Sequence, residues 1–174
     1  MKFALVSTVL ITMLLTASAW SGLADPDCVR FDPTAVTVRQ LNGRWKIVDR
    51  DHGLFDFGSD RSAAENALRV IRHYRLDRSC FVGRPDPSFV YMLARGGSPS
   101  GSLAGEDCVP FDSEAIRVAK VNQRWMILDH GRRLFDFGKK EVEARQALAV
   151  IRLHGFKQVC FVGRPLADFT YLRR

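Results

Sequence analysis

The residues of this chain that could do chemistry come in pairs eighty positions apart. Cys28 and Cys80 are followed by Cys108 and Cys160, Arg44 by Arg124, Asp49 by Asp129, Asp56 by Asp136, and Gly83-Arg84-Pro85 by Gly163-Arg164-Pro165. Histidine breaks the rule: His52, His73, His130 and His154 stand opposite Arg132, Leu153, Arg50 and Tyr74. A general base or metal ligand common to both copies is therefore not a histidine. Neither a Ser-His-Asp order, a phosphate-cradling glycine loop nor H-E-x-x-H occurs, so no catalytic residue, metal ligand or cofactor is assigned.

The arginines carry the sharper expectation. Arg84 and Arg164 each sit between glycine and proline, directly after a strand that begins with cysteine. Pro85 and Pro165 fix the local backbone, and a loop on a rigid frame can present a guanidinium that clamps carboxylate, sulfate or phosphate. The competing reading folds the side chain back onto Asp27 or Asp49 of its own copy. Arg44 and Arg124 join the candidate binding set, although pairing with the repeated aspartates would make them structural. Asp56 alternates away from its flanking phenylalanines, toward Arg72. Trp45 and Trp125 could stack on a sugar face, but they share the apolar alternation with Ile47 and Ile127 and are assigned to the core. Asp49 and Asp129 are the candidates for a minority reading as a carbohydrate hydrolase.

The cysteines divide two per copy, a pattern that implies disulfides in an exported chain. Three pairings are open. Cys28 with Cys80 and Cys108 with Cys160 is the one that makes each copy self-sufficient. Each bridge would close a loop of roughly 50 residues, for which chain entropy assigns about 4 kcal/mol.

These residues must be positioned by two copies of one module, covering residues 20–94 and 106–174, joined by a Gly/Ser/Pro connector at 95–105 that reads as flexible. Within a copy, alternation around Val36 and Val38, the Asn42-Gly43 turn and alternation over 44–49 predict a β-hairpin, with a looser turn at Asn122-Gln123. A strand at 54–57 follows. Ala64, Ala67, Leu68 and Ile71 fall on one helical stripe, matched by Ala144, Ala147, Leu148 and Ile151. Ser59 or Asp60 caps the first helix, and the second has no equivalent cap. Strands at 80–82 and 89–93 close the unit. The expected class is α+β: two tandem disulfide-stapled modules, each an antiparallel sheet in the order β-β-β-α-β-β packed on one amphipathic helix.

The strings Asp-Cys-x-x-Phe-Asp, Asn-x-Arg-Trp-x-Ile, Leu-Phe-Asp-Phe-Gly and Cys-Phe-Val-Gly-Arg-Pro resemble a module of secreted, mostly bacterial proteins that often occurs in tandem. The likeness spans nearly all of the chain after residue 19 and carries no activity with it. Copy two departs where Leu166-Ala167-Asp168 replaces Asp86-Pro87-Ser88.

Residues 1–19 read as a signal peptide: Lys2, an apolar stretch over 3–16, then Ala17-Ser18-Ala19 before the expected cleavage. Its removal takes Lys2 and no acid, lowering the formal charge from +7 to +6. The mature product is then secreted or periplasmic, without a transmembrane segment. Among 174 residues, 47% hydrophobic and 26% charged, the composition argues against disorder and one or two domains can bury a core. The basic pairs Arg132-Arg133, Lys139-Lys140 and Arg173-Arg174 gather in copy two. No aromatics interleave with them, which argues against nucleic acid. The expectation is a non-enzymatic bivalent binder of a polysaccharide or anionic cell-surface polymer. The alternative is an inhibitory module with a secreted protein partner.

Overall fold

The computed structural model describes residues 27–95, 97–165 and 167–174. The signal segment 1–19, its cleavage point, Trp20 and Leu166 lie outside the described residues. The first half runs β1 (Asp27–Arg30), β2 (Thr37–Leu41), β3 (Arg44–Asp49), β4 (His52–Asp56), α1 (Arg61–Tyr74), β5 (Arg78–Val82) and β6 (Phe89–Leu93). The second repeats it with β7 (Asp107–Pro110), β8 (Arg117–Val121), β9 (Arg124–Asp129), β10 (Arg132–Gly138), α2 (Glu141–His154), β11 (Gln158–Val162) and β12 (Phe169–Arg173). This is an α+β fold of two similar halves, each with antiparallel sheets, one helix and one disulfide.

Each half holds two three-stranded sheets, where a single sheet was expected. One is the meander β2-β3-β4 (β8-β9-β10), and the other is β1-β5-β6 (β7-β11-β12). The additional strand β1 follows from the bridge: Cys28 lies directly opposite Cys80 in an antiparallel ladder, so the disulfide recruits residues 27–30 as an edge strand. Asn42 and Gly43 both adopt positive φ, the requirement of a tight type I′ hairpin turn. Asn122 and Gln123 do so too, and Val121 pairs with Arg124 as Leu41 pairs with Arg44. The second turn is thus as tight as the first. Asn tolerates the left-handed region, and the flanking ladder fixes Gln123 in it.

Asp60 caps α1, accepting a hydrogen bond from the Ala63 amide at 2.8 Å, whereas Lys140 at the start of α2 makes no side-chain cap. Such a cap contributes about 1 kcal/mol. Ala64, Ala67 and Ile71 are fully buried, as are Ala144, Ala147 and Ile151, so the stripe faces a core as its spacing requires.

That core is shared between the halves. α1 packs on β2 and β3 and also on β11, while α2 packs on its own meander and on β5. Cys160, Val162, Phe169 and Tyr171 of the second half sit in the core with Ile71, Ile47 and Phe57. Cys80, Val82, Phe89, Tyr91 and Leu93 of the first sit with Ile151, Ile127 and Phe137. Strand alternation explains the exchange. On β11 and β12, Cys160, Val162, Phe169 and Tyr171 face the other half, and Val159 and Leu172 face their own. The disulfide-bearing sheets are therefore buried on both sides.

The seven large side chains crossing over would each contribute about 1.5–3 kcal/mol by burial. Together that is as large as the net stability of a whole domain, about 5–15 kcal/mol. The expectation of self-sufficient copies joined like beads is corrected accordingly. The connector is likewise no free tether: Leu103 packs into the first core, Pro99 accepts from the Arg174 amide at 3.1 Å, and Ser98 donates to the His154 carbonyl.

Candidate functional site

The motifs Asp-Cys and Cys-Phe-Val-Gly-Arg-Pro become one unit in the β1–β5 ladder. The register places Asp27 opposite Phe81 next to the Cys28–Cys80 bridge, and Asp107 opposite Phe161 next to Cys108–Cys160. Gly83 and Gly163 then turn the chain at positive φ, and the Arg84–Pro85 and Arg164–Pro165 bonds are cis. The turn carries each arginine back over its strand. Arg84 lies 4.2 Å from the Phe81 ring centroid and Arg164 lies 3.9 Å from that of Phe161. Their Nε atoms reach Asp27 at 3.3 Å and Asp107 at 3.1 Å. The side chain does fold back onto the aspartate of β1, and not onto Asp49.

Both arginines remain 43% exposed, and their terminal nitrogens donate to no protein acceptor among the described residues. An exposed pair of this kind contributes about 0–1 kcal/mol, and the ring stack about 0.5–1 kcal/mol. The outcome is a guanidinium seated over a ring, its Nε on a weak carboxylate partner and its terminal nitrogens without a protein acceptor among the described residues. Glycine has a second role in the first turn: a Cβ at Gly83 would collide with the carboxylate of Glu143, which reaches across from α2 and accepts from Ser88. At the matching place in the other half, Gly163 meets only Ala63 and Asp168.

Arg44 and Arg124 are turned to different work. Arg44 Nε lies 3.0 and 2.9 Å from the two Asp56 oxygens, and Arg124 repeats this on Asp136 at 3.1 and 3.0 Å. The same carboxylates accept from the Gly58 and Gly138 amides at 2.9 Å. These donors hold both carboxyls below the usual range, Arg44 and Arg124 being the largest influences. Asp56 therefore does not reach Arg72. That residue instead donates to the Val36 carbonyl at 3.1 Å, as Arg152 does to Ile116 at 3.0 Å, because the helix flank faces the start of the meander. Trp45 and Trp125 are half-buried, with Arg61 5.0 Å above the first ring and Lys120 and Arg145 5.7 and 5.9 Å from the second.

Asp129 is buried beside Arg132 at 2.8 Å and His130 at 2.9 Å, and Arg132 foremost pulls its carboxyl below the ordinary value. The basic pairs of the second half are largely engaged: Arg132 with Asp129, Arg133 with Asp136, Lys140 with Asp86 and Glu143, and Arg173 with Glu106.

One group went unnoticed in the sequence. Glu106, with a side chain only 7% exposed, accepts from Tyr74 at 2.6 Å, from Tyr171 and from the Leu103 amide at 2.8 Å, with Arg173 3.5 Å away. It ties α1, β12 and the connector together. Burial raises its pKa, but the two phenols, the amide and Arg173 more than offset this and the net shift is downward. Both phenols are pushed upward, by burial first and then by Glu106, and stay protonated donors. No repeat signal could reveal it, since Pro26 stands eighty positions earlier. Its carboxylate lies near the sulfurs of Cys108 and Cys160, but these are joined in the disulfide and offer no thiolate to a metal.

Comparison with protein-family models, with curated proteins and with solved structures finds no match for this chain.

Proposed function

We propose that the mature chain is an exported, non-enzymatic binding protein for an anionic polysaccharide or cell-surface polymer, engaging it through the Arg84 and Arg164 turns. The observation that carries the reading is the pair of identical platforms, Asp27–Phe81–Arg84 and Asp107–Phe161–Arg164, each with an immobilised guanidinium whose terminal nitrogens lack a protein partner among the described residues. Preorganisation of this sort lowers the ordering cost of capturing a carboxylate or sulfate. Two disulfides in the described chain suit an oxidising compartment, and no described helix is long and apolar enough to cross a membrane.

Because the two halves share their cores, bivalency is tested on the whole mature protein. Arg84→Gln, Arg164→Gln and the double variant are compared for retention on immobilised polygalacturonate and dextran sulfate. On a polymer with repeated acidic groups, either single variant should lose most of the avidity factor of about 10²–10⁴, and the double should lose the remaining single-site retention as well. Unchanged retention in the double variant, or no retention of the parent, refutes the proposal.

A further inference from the structure

Three cavities lie around α1, two on its exposed flank and one between it and β11. The first, about 620 Å³, is bounded by Pro33, Thr34, Arg72, Arg75, Asp77 and Arg95. The second, about 510 Å³, shares Arg72 and adds Arg69, His73 and Leu103. The third, about 290 Å³, shares Arg69 and Leu103 and ends at Arg164. Arg72, Arg69 and Leu103 are common to neighbouring cavities, so the three follow one another as a groove from the C-terminal end of α1 to the arginine platform of the second half.

Five arginines and four acids line it, and the acids are already paired: Glu65 with Arg61 at 2.7 Å, Asp77 with Arg78 at 3.6 Å and the Arg95 amide at 3.1 Å, Asp107 with Arg164, and Glu106 with its two phenols. Arg69, Arg72, Arg75 and Arg95 are exposed, and none has a carboxylate within salt-bridge distance among the described residues. Arg69, Arg72 and Arg75 recur every third residue, advancing along the helix in steps of about 4.5 Å while turning around it. This suits an extended ligand with an acidic group on successive units.

The repeat supplies an internal control. The matching positions on α2 and at its C-cap are Ala149, Arg152 and Gly155. The fold thus needs neither Arg69 nor Arg75. Arg75 and Arg95 moreover adopt left-handed backbone, at φ 53° and 51°, which side-chain-bearing residues rarely take. Among the described lining residues the Phe161 ring is covered by Arg164 and Tyr171 is buried with its hydroxyl on Glu106, which leaves His73 as the one exposed ring.

We infer that this groove, with Arg69, Arg72, Arg75 and Arg95 along it and Arg164 at its end, seats a linear acidic polysaccharide whose carboxylate or sulfate groups pair with successive arginines. The inference rests on the proposed binding function and makes the halves unequal: the first helix supplies the extended seat and the Arg84 platform the outlying contact.

The test uses the mature protein and its Arg69→Ala/Arg75→Gly variant, which installs the residues of the second half. Affinity is measured across a salt series for oligogalacturonate, a sulfated oligosaccharide, neutral dextran and single-stranded DNA, with thermal unfolding as the folding control. At least a tenfold loss on an acidic glycan is expected, with a salt slope reduced by about two, one for each arginine removed. The carboxylate and sulfate arms identify which group is read. Equal glycan affinity in parent and variant overturns the groove while leaving the proposed function standing. Parental affinity for DNA equal to that for the glycans, or binding of neutral dextran equal to that of the acidic ones, overturns the ligand class. Failure of the parent to bind either acidic glycan overturns both the groove and the function.

Discussion

Replacing Glu106 gives the most informative test of how the halves are joined. Its carboxylate accepts from Tyr74 in the first half, from Tyr171 in the second and from the connector amide of Leu103, with Arg173 alongside. Glu106→Ala leaves two phenols and a 13% exposed guanidinium without their acceptor. Removing one partner of a buried charged network costs about 3–5 kcal/mol. Glu106→Gln keeps the shape and one acceptor oxygen, so the loss falls to about 1–3 kcal/mol. For a body of this size each kcal/mol moves the midpoint by about 2–4 °C, so the alanine variant should melt about 6–20 °C lower.

The effect has a defined pH dependence. Glu106 has a folded pKa below its unfolded one, so its stabilisation is complete above the ordinary carboxylate pKa of about 4.3 and is lost as pH falls through the folded value. The gap between parent and Glu106→Gln should be full at neutral pH and narrow in acid. Differential scanning calorimetry between pH 3 and 7 reads both quantities. Equal midpoints at pH 7, or a gap that does not shrink in acid, would refute the reasoning.

Two further perturbations probe the shared cores. Ile71→Ala and Ile151→Ala, each removing a fully buried side chain, should cost about 2–5 kcal/mol apiece and lower the same single unfolding transition; two separable calorimetric peaks, only one of them shifted, would contradict the exchange. Substituting Cys28 and Cys80 together by serine removes a closure spanning 52 positions and should cost about 4 kcal/mol, seen as a lower denaturant midpoint in chemical unfolding. An unchanged midpoint would show that the bridge is idle.

The local chemistry was legible where one side chain dictates one outcome. The hairpin turn, a cap at Ser59 or Asp60 with none before α2, and the alanine-isoleucine stripe follow from residue type and spacing, and the disulfide pairing follows from the symmetry of the repeat. The second layer over the disulfide-bearing sheets was harder to read, although a signal exists. Residues 89–93, Phe-Val-Tyr-Met-Leu, are apolar without interruption, as a strand buried on both faces would be. One helix per copy covers one face only, so the other face had to find its cover in the partner half. Self-sufficiency of each copy selects the right sulfur pairing, but a disulfide constrains the chain and does not supply apolar area. Glu106 and the groove have a different origin: both lie outside what the two copies share, Pro26 standing opposite Glu106 and Ala149 and Gly155 opposite Arg69 and Arg75.

Differences between the halves therefore deserve the weight first given to identities, and position 75 allows the sharpest use of one. The C-cap of α1 is Arg75 at φ 53°, while the C-cap of α2 is Gly155 at φ 60°. The two caps donate to equivalent carbonyls, Arg72 and Ile71 in one case and Arg152 and Ile151 in the other, so the backbone task is the same. Glycine takes the left-handed conformation without the steric penalty of about 1–2 kcal/mol that a Cβ incurs. Arg75→Gly should then raise the melting midpoint by a few degrees, an unusual outcome for deleting a long side chain. A residue present only for folding would do nothing else. If Arg75 serves the groove, the same variant must bind acidic glycan more weakly, so stability and affinity move in opposite directions. Greater stability with undiminished affinity would remove Arg75 from the site, and a loss of stability would show that its side chain supports the helix end in a way that Gly155 does not.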